Sequence, residues 1–177
     1  MPRVPIICVA ILLLVLAAAA PARADLGFGA IQGTWEVAVT PQPTPDIPVP
    51  PEGFQALFSF HLGGTLSETD GGIHPGSQVD LFPELGLLSA SDGLGAWTRK
   101  SHRRSALTFF KVLFADQVQI GYLRIRGEVT LSPDRKRFSG EALSDFILGP
   151  DLETGELFFT GPVRLDGRRL GVVATGP

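Results

Sequence analysis

The sequence predicts an all-β chain folded as an antiparallel up-and-down barrel of eight to nine strands. Three observations carry this. Short segments alternate apolar and polar residues at period two, the mark of half-buried strands. Turn signals built from Gly, Pro and Asp separate them at near-regular spacing, and no long window has helical periodicity. The chain's only two tryptophans each follow a glycine by two residues, in Gly33-Thr34-Trp35 and Gly95-Ala96-Trp97. Short turns make sequential strands antiparallel neighbours. A meander this long must hide its edges or close, and eight strands enclose room for packed side chains or one small ligand.

Thr34 to Thr40 opens the series, with Trp35, Val37 and Val39 on one face. The Pro-rich stretch within 41–53 lacks ladder donors and is expected to be an extended surface connector. Phe54 to His61 puts Phe54, Ala56, Phe58 and Phe60 on one face, and Gly63-Gly64 turns it into Thr65 to Thr69. The 71–94 segment is long and unpatterned but carries Leu81, Phe82, Leu85, Leu87 and Leu88. It is expected to pack over one barrel end as a lid or a plug, with a helical turn near Asp80 to Leu85. Asp92-Gly93 is a turn signal before the strand Gly95 to Lys100. Ser105 to Phe114, Val118 to Leu131 and Phe138 to Leu148 follow. Glu156 to Leu165 and Arg168 to Thr175 complete the set, with a hairpin turn expected at Asp166-Gly167.

The first 24 residues stand apart from this pattern. Arg3, an apolar run from Ile6 to Ala20 and the small-x-small Ala22-Arg23-Ala24 make a cleavable secretory signal. The expected mature chain, 25–177, is a single domain, secreted or periplasmic. No other run is long enough to span a bilayer as a helix, so no membrane span is expected in the mature form. Cys8 leaves with the signal, so no disulfide is expected. Arg3 and Arg23 leave too, and 13 basic residues then face 18 acids. That balance argues against general nucleic-acid binding. The charges are segregated: residues 25–98 hold nine acids and no Lys or Arg, whereas 99–137 hold ten basic residues and three acids. Two readings follow, pairing of oppositely charged strands across a sheet or an anion-binding face.

The ordered series Gly33-Thr34-Trp35, Phe54-Gln-Ala-Leu-Phe-Ser-Phe, Gly63-Gly-Thr-Leu-Ser-Glu-Thr, Gly95-Ala-Trp-Thr-Arg and Thr108-Phe-Phe-Lys-Val-Leu-Phe resembles small secreted bacterial proteins of the lipocalin-like, calycin type. No activity is established for that set. The resemblance implies a tryptophan, Trp35, closing one barrel end, with an arginine from a late strand lying across it. Arg164 and Arg168 are the candidates. The chain departs from the pattern in lacking a disulfide and a clear C-terminal helix.

No catalytic motif emerges. His61, His74 and His102 have no second ligand at metal spacing, so no metal is expected, and no cofactor is expected either. There is no Gly-x-Ser-x-Gly elbow. Glu68 and Asp70 can share a strand face, where paired carboxylates can split their pKa values; here they are expected to be solvated turn acids. Three functions remain. The first is binding of a small apolar or amphipathic ligand in the lumen, with Phe58, Phe110, Leu123 and Ile125 as its lining and Gly33, Trp35, Trp97 and Arg164 closing the structure. The second is a solid-core envelope or interaction protein. The third is a barrel isomerase or cyclase, which needs an inward polar group, with Glu36, Glu141 and Asp145 as candidates. The sequence leaves the oligomeric state open.

Overall fold

The computed structural model describes residues 30–45, 52–70 and 82–171. The signal segment, residues 46–51 of the Pro-rich loop, residues 71–81 with His74, and the expected strand end beyond 171 lie outside the described residues.

Among the described residues, nine strands form one antiparallel sheet: β1 Gly33–Pro41, β2 Phe54–Phe60, β3 Thr65–Asp70, β4 Leu88–Ala90, β5 Gly93–Arg99, β6 Arg104–Ala115, β7 Val118–Leu131, β8 Arg137–Leu148 and β9 Glu156–Arg169. The order β6-β5-β3-β2-β1-β9-β8-β7 is closed by pairing of β6 with β7, which makes an eight-stranded barrel. The ninth strand, β4, pairs only with the upper part of β6, at Leu88 to Ala90 against Ala115 to Leu113. Its successor β5 takes the lower part, Leu94 to Arg99 against Phe110 to Ser105. The two are one bent strand interrupted at Ser91-Asp92, where the Ser91 Oγ accepts from the Val112 N–H at 2.9 Å and keeps the ladder satisfied. Asp92-Gly93 is therefore a bend within a strand line.

The end of the chain differs from expectation. Asp166 and Gly167 make no hairpin turn; they lie inside β9, paired with Ala38 and Val37 on one side and Ser139 and Phe138 on the other. Asp166 is held on the outer face by Arg164, at 2.8 Å. Gly167 is where the Phe138 ring lies, 2.3 Å from the position a Cβ would take. The glycine serves packing across strands, not chain reversal.

Real reversals use backbone that the sequence permits. Gly63 and Gly64 both have φ of 88°; the Gly64 N–H donates to the His61 carbonyl, which puts Gly63 at the third position of a type II turn, where positive φ is required. The expected helical turn near 80–85 appears as a 3-10 turn, Pro83–Leu85.

Strand tilt sets the interior levels. Inward residues pair from Trp35 to Phe58, from Phe58 to Glu68 and from Glu68 to Gly93. On the far side Lys111 pairs with Leu123, Leu123 with Phe146, and Phe146 with Phe159. The circuit does not return to β1 at Trp35, because Val163 already pairs with Pro41 and Phe159 lies beyond it. The level climbs around the barrel, as closure with tilted strands demands.

The floor is aromatic. Trp35 packs 5.0 Å from Phe138, centroid to centroid, and Phe60 bridges Phe138 and Trp97 at 6.3 and 6.1 Å. At the other end Phe82, from the long loop, meets Phe146, Phe158 and Phe159 at 5.2 to 5.3 Å. Both Phe158 and Phe159 reach it because the β8–β9 register shifts between Phe146 and Ile147, leaving Phe158 as the extra residue of a bulge.

Close approach at Gly95 ties β5 to β6. A Cβ there would stand 2.1 Å from the Thr108 carbonyl and 2.4 Å from the Phe109 Cα, both backbone atoms that cannot swing aside. Gly95→Ala is expected to lower stability by about 2 kcal/mol or more, measured by urea unfolding, with Gly171→Ala, which meets nothing within 4 Å, as the silent control.

Candidate functional site

Two places stand out: the floor around Trp35 and a charged cluster inside the barrel. At the floor, the guanidinium carbon of Arg169 lies 4.4 Å from the centroid of the Trp35 ring. The cation over Trp35 is thus neither Arg164 nor Arg168. Arg164 points outward to Asp166, and Arg168 pairs with Glu36 on the outer face. The reason is parity: inward positions of β9 run Val163, Leu165, Gly167, Arg169, so the even-numbered arginines face solvent. Arg169 also donates to the carbonyls of Gln32 at 2.6 Å, Arg135 at 3.1 Å and Ala30. Burial, with Arg135 nearby, pulls its guanidinium below its ordinary pKa. Gly33 has φ of 116°, and a Cβ on it would approach the Arg169 Nη1 at 3.2 Å. The Trp35 indole N–H donates to the Ile31 carbonyl at 2.7 Å, and that of Trp97 to the His61 carbonyl at 3.1 Å. Gly33, Trp35, Trp97 and Arg169 are the barrel's closed end, where guanidinium over indole contributes about 0.5–2 kcal/mol.

The interior holds a surprise for the sequence reading. Glu68 and Asp70 are not solvated turn acids. Both point into the lumen from β3, 4% and 9% exposed, and meet Lys111, 2% exposed, from β6. Nζ of Lys111 donates to Oε1 of Glu68 at 3.3 Å and to Oδ2 of Asp70. Oε2 of Glu68 is 3.1 Å from the same ammonium but in a direction that makes no hydrogen bond, so this buried oxygen accepts none. It occupies the space left by Gly93, 2.7 Å from where a Cβ would project inward. Burial pushes the Glu68 carboxyl up to about 8, with Asp70 beside it adding to the rise and Lys111 opposing it.

Four lumen candidates were drawn from the sequence. Phe58, Leu123 and Ile125 are buried inside the barrel. Phe110 is not there. The inward row of β6 is Ser105, Leu107, Phe109, Lys111 and Leu113, so Phe110 stands half-buried on the outer face, and Phe109 takes the lumen, 5.4 Å from Phe58. Of the polar candidates for an isomerase, none faces the lumen. Glu36 and Glu141 are on the outer wall. Asp145 is fully buried but also on the outer side, beneath Arg124 and Arg126 at 2.8 Å each and hydrogen-bonded by Thr160. Burial raises its carboxyl, and hydrogen bonds from Arg126, Arg124 and Thr160 outweigh that and hold it below its ordinary value.

Accessibility divides the lumen. Near the floor Trp35, Val37, Phe58, Val129 and Leu165 are sealed, at 0–1% exposure. Higher up, Val39, Asp70, Ile125 and Val163 keep 8–9%, and Ser144 on the inward row of β8 is only half-buried.

On the outer wall an open groove of about 780 Å³ crosses β6 to β9, with Lys100, Thr108, Arg126, Glu128, Glu141 and Arg164 in its lining. Its cations and acids are mixed, and Arg126 and Arg164 already hold Asp145 and Asp166. The groove offers no uniform anion-binding field. No group of three or more metal-ligating side chains occurs among the described residues. His61 bonds Ser67, and His102 meets Arg135. No helix among the described residues is long and apolar enough to cross a membrane. No family model, curated protein or solved structure matches the chain. The fold itself, a closed eight-stranded antiparallel barrel with one extra strand, is consistent with the calycin-like architecture.

Two measurements check the cluster. Glu68 binds its proton more tightly folded than unfolded, so between pH 4.5 and about 8 the folded chain carries the extra proton. Its contribution to stability is present below 4.5 and is lost as pH rises through about 8. Urea unfolding is expected to show a decline on the order of a few kcal/mol across that window, and Glu68→Gln, which keeps a neutral side chain at every pH, flattens it. Lys111→Met strands two acids in the interior and is expected to cost about 3–5 kcal/mol. Adding Glu68→Leu and Asp70→Val to it recovers most of that loss.

Proposed function

We propose that this chain is a secreted or periplasmic calycin-like barrel that binds a small amphipathic molecule in the upper half of its lumen. The observation that carries this is a lumen that joins an apolar wall to buried ionisable groups. Val39, Ile125 and Val163 supply apolar lining, and Glu68, Asp70 and Lys111 supply polar anchors inside the same barrel. Binding pockets for small molecules are of this kind, mostly apolar with a few placed polar groups. The sealed floor supports a single approach from the other end, beneath Phe82. The signal-like residues 1–24 support export. The resemblance to lipocalin-like bacterial proteins supports the same architecture and supplies no activity.

A solid-core interaction protein is the second reading. The outer groove and the exposed Leu94 at 71% favour it.

The two readings part on one experiment. Purified protein is titrated with an environment-sensitive apolar fluorophore, and Ser144→Phe is compared with wild type. Ser144 is inward and half-buried, so an aromatic ring there fills the upper lumen. Saturable binding in the wild type and at least a tenfold loss in the variant, with an unchanged far-UV spectrum, is the expected result. No saturable binding by folded wild type removes the ligand reading.

A further inference from the structure

The charges of the outer surface sort by barrel end. At the Trp35 floor lie the β2–β3, β5–β6 and β7–β8 turns and the end of β9. Of the 13 Lys and Arg residues beyond residue 24, nine are there: four in 99–104, three in 135–137 and two at 168–169. Backbone contacts join these turns into one surface. The Leu131 N–H donates to the Arg103 carbonyl at 2.8 Å, and the Arg169 N–H to the Lys136 carbonyl at 2.9 Å. Arg169 is committed to Trp35, and Arg168 to Glu36. Lys100, Arg103, Arg104, Arg135, Lys136 and Arg137 are exposed, and none of the six is ion-paired among the described residues. Arg137 even stands directly opposite Arg168 in the β8–β9 register, a like-charge pair that is unfavourable. The acid of these turns, Asp134, is turned back onto Ser132 Oγ at 2.6 Å and the Lys136 N–H at 3.1 Å. The upper end is the reverse. Glu52, Glu84, Asp116, Asp151, Glu153 and Glu156 are exposed there, and its described turns hold no Lys or Arg. A second feature sets the floor end apart. Leu62, in the β2–β3 turn, is 66% exposed, and Leu170, beside Arg169, is 40% exposed. The turn of Leu62 abuts the basic strand end, because the Trp97 N–H donates to the Gly64 carbonyl at 2.7 Å, two residues before Arg99.

We propose that the floor end docks on the surface of an anionic phospholipid bilayer, with the basic turns against lipid phosphates and Leu62 and Leu170 in the boundary between headgroups and acyl chains. The inference is independent of any lumen ligand. Each Lys or Arg close to an anionic membrane surface strengthens binding by about fivefold. The attraction decays within a Debye length, about 8 Å at physiological ionic strength, so the sorting of charge matters more than the net acidic total. β6 runs 12 residues from the floor to the upper end, roughly 30 Å along the axis for a tilted strand. The acids of the upper end therefore stand several Debye lengths from a bilayer that touches the floor. Interfacial binding combines attraction to anionic lipid with apolar area withdrawn from water, and this end supplies both. A nucleic acid fits less well. Single strands are held by stacking on aromatic rings, and Trp35, Phe60, Trp97 and Phe138 are all buried at the floor. A phosphodiester backbone also leaves Leu62 and Leu170 in water. Docked in this way, the barrel directs its upper end away from the membrane.

The test is vesicle flotation of the exported chain, its N-terminus confirmed near Asp25 by mass spectrometry. The vesicles are phosphatidylcholine alone or equal parts of phosphatidylcholine and phosphatidylglycerol, and a mixed-sequence DNA duplex is titrated in parallel. Anionic vesicles are expected to bind at least tenfold more strongly than neutral ones, and less as salt is raised. The combined variant Arg103→Gln, Arg104→Gln, Lys136→Gln and Arg137→Gln removes side chains that make no hydrogen bond among the described residues. It is expected to lose at least tenfold in binding to anionic vesicles, with an unchanged far-UV spectrum. Arg164→Gln makes the same change on the barrel wall and is expected to stay within about twofold of wild type. Leu62→Ser is expected to weaken vesicle binding severalfold and to leave duplex binding unchanged. The proposal falls if neutral vesicles bind as strongly as anionic ones, if the combined variant keeps full affinity, or if no vesicle is bound. It falls too if the duplex binds more tightly than the anionic vesicles and Leu62→Ser alters neither, because the basic end then serves a polyanion without lipid contact.

Discussion

An ammonium and two carboxyls share the interior of a barrel otherwise lined with hydrocarbon and aromatic rings, and each is tolerable only because of the others. Moving one such ion out of water costs several kcal/mol after relaxation. Lys111 reaches both Glu68 and Asp70 from across the lumen, so one cation offsets part of the cost of two acids. The remainder is met by keeping Glu68 protonated. The cluster joins β3 to β6 across the lumen although β5 lies between them in the sheet. It therefore fixes how far the barrel wall folds inward at that point. A set of apolar residues of similar volume would hold the same strands at least as well.

The rest of the barrel is arranged to isolate that place from below. Trp35, Phe60, Trp97 and Phe138 interlock at the floor, and Arg169 seals it from outside through three backbone carbonyls and the Trp35 face. The strand line β4–β5 bends at Ser91-Asp92, so the upper wall follows β6 while its continuation turns toward the floor. Glycines make the closure possible where backbones or side chains crowd. Gly95 admits the β6 backbone, and Gly33 admits the Arg169 guanidinium. The two Gly-x-Trp motifs thus do the same work. Each glycine clears space for a neighbour, and each tryptophan two residues later, on the same face, fills the floor.

Much of this architecture was legible in the sequence because strand parity was unambiguous. Val118 to Leu131 separates its faces cleanly, with Leu123, Ile125, Val129 and Leu131 inside. The floor tryptophans were legible too, because Trp beside Gly is rare and large. The site was harder to read, for a specific reason. β6 is apolar on both faces: Leu107, Phe109 and Leu113 lie inward, and Phe110, Val112 and Phe114 lie outward. Apolar pattern alone could not choose between them, and Lys111 on the inward row favours the wrong choice. The signal that could have found it was charge balance across strands. Glu68 and Asp70 share a row with Leu66 and lie in a block without a single Lys or Arg. If that row faces inward, as Leu66 requires, its acids need a cation from elsewhere. Asp166-Gly167 misled in the opposite sense, as a turn dipeptide that β1 and β8 both hold extended.

The segregation of charge along the chain acquires a physical meaning from the cluster. Opposite charges on the outer wall mostly pair within the C-terminal half, as Asp145 does with Arg124 and Arg126 and Asp166 does with Arg164. The acidic N-terminal block meets the basic block through Lys111 inside the lumen, while Glu36 finds Arg168 outside it. Exposed pairs contribute little because water and salt screen them, so their loss or gain scarcely alters the barrel. The lumen cluster is unscreened, and any change in its charge is felt at full strength.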